Sequence, residues 1–195
     1  MNRDQVLANR DIRPAAFVHF VLQTSRLPEQ VYFYKILLNA WEVFGGDMGS
    51  FLTYDEEHHR VAIAYAPDLP DRNPRAAGVN HFAFAMGSLG NLLANYLRLK
   101  ELGIMPYWCI NHGPTTSLYY RDVDGNQIET QSDNFDTPEE LAGFFHSNAF
   151  RANPLGVQFD PDLLVEHYRA GVPEDELKRQ GSAPRAPGTE YIFPF

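Results

Sequence analysis

A single cysteine, Cys109, in 195 residues excludes an intramolecular disulfide framework, so the fold must be held by its core. Basic residues are also scarce. Sixteen Lys and Arg against 25 Asp and Glu give a formal charge of −9, a field that repels a phosphate backbone, so nucleic acid is not an expected partner. No apolar run is long enough to span a bilayer, and the opening Met1-Asn2-Arg3-Asp4 lacks the apolar stretch of a signal peptide. These absences predict a cytoplasmic protein with no membrane partner. What is present is a globular composition, 44% hydrophobic and 21% charged, in a length that suits one domain or two small modules sharing a core.

Hydrophobic periodicity divides the chain into a repeated order of elements. Residues 1–13 form a polar arm. Residues 16–22 read as a strand, Pro28 opens a helix over 29–44 that Gly45-Gly46 stops, and 51–54 and 60–65 read as strands. This first module spans 14–67, and a Pro-, Asp- and Arg-rich linker occupies 68–78. The second module, 79–135, repeats the order: a strand at 79–86, a helix over 88–102 ended by Gly103, then strands at 106–110, 117–121 and 127–130, the last two joined by a hairpin turn at Asp122-Val123-Asp124-Gly125. Together they predict an α+β fold of paired βαβββ modules. The tail, 136–195, reads as a helical and irregular extension with helices at 138–145 and 160–170, broken up by prolines. It is expected to wrap the core or a neighbouring subunit, and homo-oligomerisation is expected.

Three of the seven histidines fall in or beside strands of alternating pattern. Side chains at i and i+2 share a strand face. His19 therefore lies with Phe17 and Val21, and His81 with Ala83 and Ala85, whose small side chains leave space above the sheet. A lone strand histidine is most often a satisfied core residue, but these two open equivalent strands of a repeat, and a pseudo-two-fold aims both imidazoles at one point. Glu129 sits on the last strand of the second module. Alone it reads as an exposed edge carboxylate. Beside two converging histidines it completes a 2-His-1-carboxylate set, which suits Fe(II), with Mn(II) as the alternative, and leaves coordination positions open.

The stretch Asn111-His112-Gly113, followed by Ser117-Leu118-Tyr119-Tyr120-Arg121-Asp122-Val123-Asp124-Gly125-Asn126-Gln127-Ile128-Glu129, resembles the closing hairpin of type I extradiol ring-cleavage dioxygenases of the vicinal oxygen chelate (glyoxalase/bleomycin resistance/dioxygenase) superfamily. Asp55-Glu56-Glu57-His58-His59-Arg60 resembles the same enzymes, where a paired histidine precedes the last strand of the first module. In the tail, Asn153-Pro154-Leu155-Gly156-Val157-Gln158-Phe159-Asp160 is similar to single-unit members related to the biphenyl-diol dioxygenases. The resemblance covers roughly residues 14–135. The spacing from His112 to Tyr119 is shorter, and the linker from His59 to His81 longer, than in the larger two-domain members.

The resemblance implies an incurved mixed sheet, His19, His81 and Glu129 as metal ligands, and Fe(II) as the ion. It also implies His59 near the oxygen site, His112 in contact with substrate, and Tyr119 near the catecholate oxygen. The expected activity is cleavage of a small aromatic diol with O2, next to the diol. Glyoxalase-type members carry a fourth ligand where this chain has Val61-Ala62-Ile63-Ala64, none of which binds a metal, so three positions of an octahedron stay free for a chelating diol and O2. Two alternatives remain: a metal-dependent isomerase, epimerase or lyase on the same fold, or a non-catalytic protein that binds a small aromatic ligand.

Overall fold

The computed structural model describes residues 2–189; Met1 of the expected arm and residues 190–195 of the expected tail lie outside them. The chain divides into two compact units, Met1–Leu69 and Pro70–Phe195.

The first unit opens with a short helix, α1 (Arg3–Ala8), whose Asn2 and Gln5 form a reciprocal capping box. It continues with β1 (Phe20–Thr24), α2 (Leu27–Leu38), β2 (Trp41–Gly46), β3 (Gly49–Thr53) and β4 (Val61–Tyr65). The sheet order is β1-β4-β3-β2, with β1 parallel to β4 and the other pairs antiparallel. Phe20, Leu22 and Thr24 are buried, and Val21 and Gln23 between them are exposed, so one face of β1 builds the core with Phe33, Tyr34 and Leu37 of α2. His19 falls on the other face, with exposed Phe17 and Val21.

Two expectations for this unit are corrected. The helix expected over 29–44 ends at Leu38, because Asn39 adopts the left-handed conformation (φ 51, ψ 39) and its N–H bonds back to Lys35 and Ile36; Asn accepts that conformation more readily than most residues. Trp41 to Gly46 then form β2, hydrogen-bonded to β3. The module thereby gains its fourth strand, which its sequence had hidden inside an apparently helical run. Secondly, β1 starts at Phe20 rather than Ala16, because the Phe17 and Val18 carbonyls accept from the Arg60 guanidinium instead of a strand partner.

The second unit contains β5 (His81–Ala85), α3 (Leu89–Glu101), β6 (Trp108–Asn111), β7 (Thr115–Arg121) and β8 (Gln127–Asp133). Then come α4 (Pro138–Phe145), α5 (Asn148–Ala152), β9 (Val157–Gln158), α6 (Pro161–Arg169) and α7 (Glu174–Leu177). Its sheet runs β5-β8-β7-β6-β9, and β5 is parallel to β8. Each unit therefore carries one βαβββ module with a mixed open sheet. Ser88 caps α3 by accepting from the Asn91 N–H at 3.1 Å, and α3 buries Leu89, Leu92, Tyr96 and Leu99. One sheet face, with Leu118, Tyr120 and Ile128, is fully buried. By strand alternation the other face carries His81, Glu129 and Tyr119.

The β7–β8 connection is the hairpin its sequence predicts. Asp122 is 6% exposed, and its carboxylate accepts from the Asp124 N–H at 3.0 Å, the Asn126 N–H at 2.8 Å and the Asn126 side-chain amide at 2.8 Å. Gly125 supplies the positive φ of 80 that the turn needs. Asp122→Ala is expected to lower the free energy of unfolding in urea by about 2 kcal/mol, since three donors lose an acceptor in a largely buried turn.

The tail is more ordered than its prolines imply. α4 spans the expected residues and α6 lies within 160–170, but α5, α7 and the strand β9 were not foreseen. β9 extends the second sheet by pairing with β6. Among the described residues no helix is long and apolar enough to cross a membrane.

Candidate metal centre and substrate site

In the second unit, parallel pairing aligns Ala83 with Glu129 and His81 with Gln127, so His81 and Glu129 share one face of adjacent strands. Their side chains meet there, with His81 Nε2 3.1 Å from Glu129 Oε2. Two neighbouring ligands of an octahedral ion, each at about 2.1 Å, stand about 3.0 Å apart, so this spacing fits a shared ion. The other His81 nitrogen, Nδ1, is 2.8 Å from the Asn80 side-chain oxygen. An acceptor there holds a proton on Nδ1, so Nε2 would offer its lone pair to an ion that replaced its hydrogen bond to Glu129.

Glu129 is 4% exposed. Burial alone would push its carboxyl up, but hydrogen bonds from His81 and Ser117, with the charges of His81 and His112, outweigh burial and hold it below the ordinary carboxylate range. It is therefore an anionic donor at neutral pH. An imidazole nitrogen and a carboxylate oxygen make a donor pair suited to divalent Fe, Mn or Zn.

Behind this pair lies a line of polar groups. Tyr119 is directly opposite Glu129 on β7 and hydrogen-bonds to it. Burial, then the Glu129 charge and hydrogen bond, raise the phenol far above its ordinary range, so Tyr119 stays protonated and serves as an O–H donor. His112 Nε2 is 3.0 Å from the Tyr119 hydroxyl. The floor is aromatic: the Trp108 ring lies 4.8 Å from that of Tyr119 and 5.6 Å from that of His112, and Trp108, Ile110 and Tyr119 form a buried cluster.

The first unit holds a histidine cluster. His19 immediately precedes β1, and its ring lies 4.3 Å from that of His59. His59 stacks on Phe51 at 4.6 Å and 14°, and its Nδ1 is 2.7 Å from His58 Nδ1, so one of those nitrogens donates and the other accepts. Burial, then the charges of His19 and His58, hold His59 below the ordinary imidazole range against the opposing pull of Glu57.

Arg60 brackets His19. Its guanidinium donates to the Phe17 and Val18 carbonyls at 2.9 and 3.1 Å, and its main-chain carbonyl accepts from the Phe20 N–H at 3.2 Å. Asp55 grips the same guanidinium at Nε and Nη2, and these bonds hold the Asp55 carboxyl below its ordinary range.

Within either unit, among the described residues, no three His, Cys, Asp or Glu side chains are gathered for an ion. His81, Glu129, Tyr119 and His112 come together in the second unit, and His19 and His59 in the first. The sequence reading missed Asn80, Ser117, Arg60 and Asp55. Ser117 was legible in principle, since it alternates with Tyr119 on β7, and Asn80 adjoins His81. The Asp55–Arg60 clamp carries no local signal.

The sequence profile of the Glyoxalase/Bleomycin resistance protein/Dioxygenase superfamily matches residues 16–130. The chain belongs to this superfamily. Solved members of the superfamily fold share its architecture. A glyoxylase/bleomycin resistance protein/dioxygenase domain from Frankia sp. aligns with a TM-score of 0.54 at 17% identity, over 66% of this chain and 99% of that one. Lactoylglutathione lyase from Agrobacterium tumefaciens aligns with a TM-score of 0.50 at 20% identity, over 61% and 94%. At these identities the likeness concerns the fold. Two curated superfamily relatives from Rhodococcus globerulus are much nearer in sequence. Biphenyl-2,3-diol 1,2-dioxygenase 3 is 48% identical over 82% of this chain and 85% of its own length, and Biphenyl-2,3-diol 1,2-dioxygenase 2 is 48% identical over 83% and 85%.

Proposed function

We propose that this chain is an Fe(II)-dependent extradiol dioxygenase, which opens a catechol-type ring with O2 next to the diol. The observation that carries the reading is the His81–Glu129 pair, spaced for a common ion, with Tyr119 and His112 lined up behind it. The 48% identity to biphenyl-2,3-diol dioxygenases supports the same chemistry. In this reading His19 is the third donor. An ion held by these residues would supply a Lewis-acidic centre for the diol oxygens and O2.

The chain's own residues then do the remaining work. Tyr119, kept protonated, donates its O–H to an oxygen of the bound diol and stabilises its anion. His112 Nε2 lies within reach of the same hydroxyl network and accepts a proton from it. His59, held neutral, takes up a proton as the diol ionises and returns it to an oxygen later in the cycle. Trp108 and Ile110 give the ring an apolar floor and limit water around it.

Anaerobic reconstitution with Fe(II), followed by oxygen-uptake measurements with a panel of catechols and bicyclic diols, tests the reading. Stoichiometric uptake with appearance of a yellow ring-opened semialdehyde is expected. Diol binding without uptake would point to a binding protein, and turnover without O2 to an isomerase or lyase.

The Arg60 clamp adds a prediction. Arg60→Met is expected to weaken iron binding by about tenfold in chelator competition, the lower end of what ligand-supporting residues contribute, because the Phe17 and Val18 carbonyls that lead into His19 lose their fixed partner.

A further inference from the structure

The tail motif at residues 153–160 has no part in the mechanism above, yet its residues are arranged around one of the site histidines. Leu155 presents its carbonyl to His112 Nδ1 at 2.5 Å. A carbonyl only accepts, so Nδ1 carries the proton and, in the neutral ring, Nε2 is bare. That Nε2 is the atom facing the Tyr119 hydroxyl, whose one proton is shared between Glu129 and this lone pair. Free imidazole shows no such commitment, so the tautomer is imposed by the tail.

The rest of the motif delivers this carbonyl. Asn153 closes a turn around Gly156 from both directions: its side-chain oxygen accepts from the Gly156 N–H at 3.1 Å, and its amide donates to the Gly156 carbonyl at 2.6 Å. Gly156 has φ +113, and a Cβ there would stand 2.3 Å from the Asn111 carbonyl oxygen and 2.7 Å from His112 Cα. Only glycine lets the two backbones approach this closely. Val157 and Gln158 then pair with Asn111 and Ile110, and the Phe159 N–H donates to the Cys109 carbonyl. The Phe144 ring lies over Gly113, where a Cβ would overlap it. Later in the tail, the Lys178 carbonyl accepts from the Asn111 side chain and Gln180 donates to the Asn111 carbonyl. Apart from the Asn153–Gly156 turn itself, these contacts fall on residues 109–113, the strand end that bears His112.

We propose that the C-terminal extension is a positioning device for His112: the Asn153–Gly156 turn sets the Leu155 carbonyl on Nδ1, and so presents Nε2 as a hydrogen-bond acceptor toward Tyr119 and the ionising hydroxyl of the substrate. The role toward substrate rests on the dioxygenase reading; the tautomer does not. A tail that merely covers the sheet would leave the ring free to choose either form.

The test uses the full chain labelled with 15N-histidine, without added metal, at about pH 8, above the ordinary imidazole range. The His112 signals are assigned by their loss in His112→Gln. Wild type is expected to show His112 with Nδ1 protonated and Nε2 bare. Asn153→Ala, which inserts no bulk, and Gly156→Ala, which forces the backbones apart, are expected to move His112 toward the Nε2–H form. In the iron-loaded enzyme both are expected to raise KM for the diol by about tenfold with a smaller change in kcat and unchanged iron content. If Gly156→Ala does not fold, Asn153→Ala decides. An Nε2–H form in wild type, or an unchanged Nδ1–H form in the folded variants, overturns the proposal. The expected tautomer shift in a protein whose wild type consumes no O2 with any diol would support the positioning role and overturn the dioxygenase reading instead.

Discussion

His81→Ala is expected to purify without iron and to stay unloaded after anaerobic reconstitution, while far-ultraviolet circular dichroism matches the parent protein. Loss of one donor from a three-donor set removes most of the affinity, because the remaining positions are filled by exchangeable water or substrate. The fold should survive. The His81 side chain is 34% exposed and opens a strand whose hydrogen bonds to β8 are made by backbone. The variant does leave Glu129 more exposed to its burial penalty. Ser117 still donates to it, and the carboxyl is free to take up a proton, so the loss of stability should stay within about 2 kcal/mol. Metal analysis of a folded variant that still carries one iron per chain would remove His81 from the ligand set.

The second large effect is expected at His59. His59→Phe should still bind Fe(II) and a catechol, because His59 is a ligand to neither, and phenylalanine keeps the stack on Phe51. Turnover should fall by about 10²–10⁴, the usual contribution of a positioned acid or base. Its environment sharpens the role. With His19 and His58 close by, His59 is held below the ordinary imidazole range and rests neutral at pH 7, so it must accept a proton before it gives one. Stopped-flow mixing of the anaerobic enzyme–catechol complex with O2 would place the slowed step after oxygen enters. Turnover within a few-fold of the parent would move the proton-transfer role elsewhere, first to His112.

Local signals carried much of this chain. Ser88 before an apolar periodic run marked the start of α3, and Asp122 to Asn126 marked the β7–β8 hairpin, because caps and turns are built from residues a few positions apart. The error at β2 has the same origin. Trp41 to Phe44 follow Val31, Tyr34 and Leu37 at spacings a helix also permits, and only the left-handed turn at Asn39 and pairing with β3 decide for a strand.

The sequence by itself therefore determined the repeated module, the histidines that open or immediately precede its first strands, and the alternation that puts Tyr119 opposite Glu129, since these follow from period-two geometry and short-range turn chemistry. Tertiary structure alone decided how those groups are tuned. Ser117 and His81 holding Glu129 ionised, Arg60 bracketing His19 and Leu155 setting the His112 tautomer are contacts across strands or across 40 or more positions of chain. No periodicity encodes such contacts, because they depend on which backbone atoms the finished sheet and tail bring within hydrogen-bonding distance.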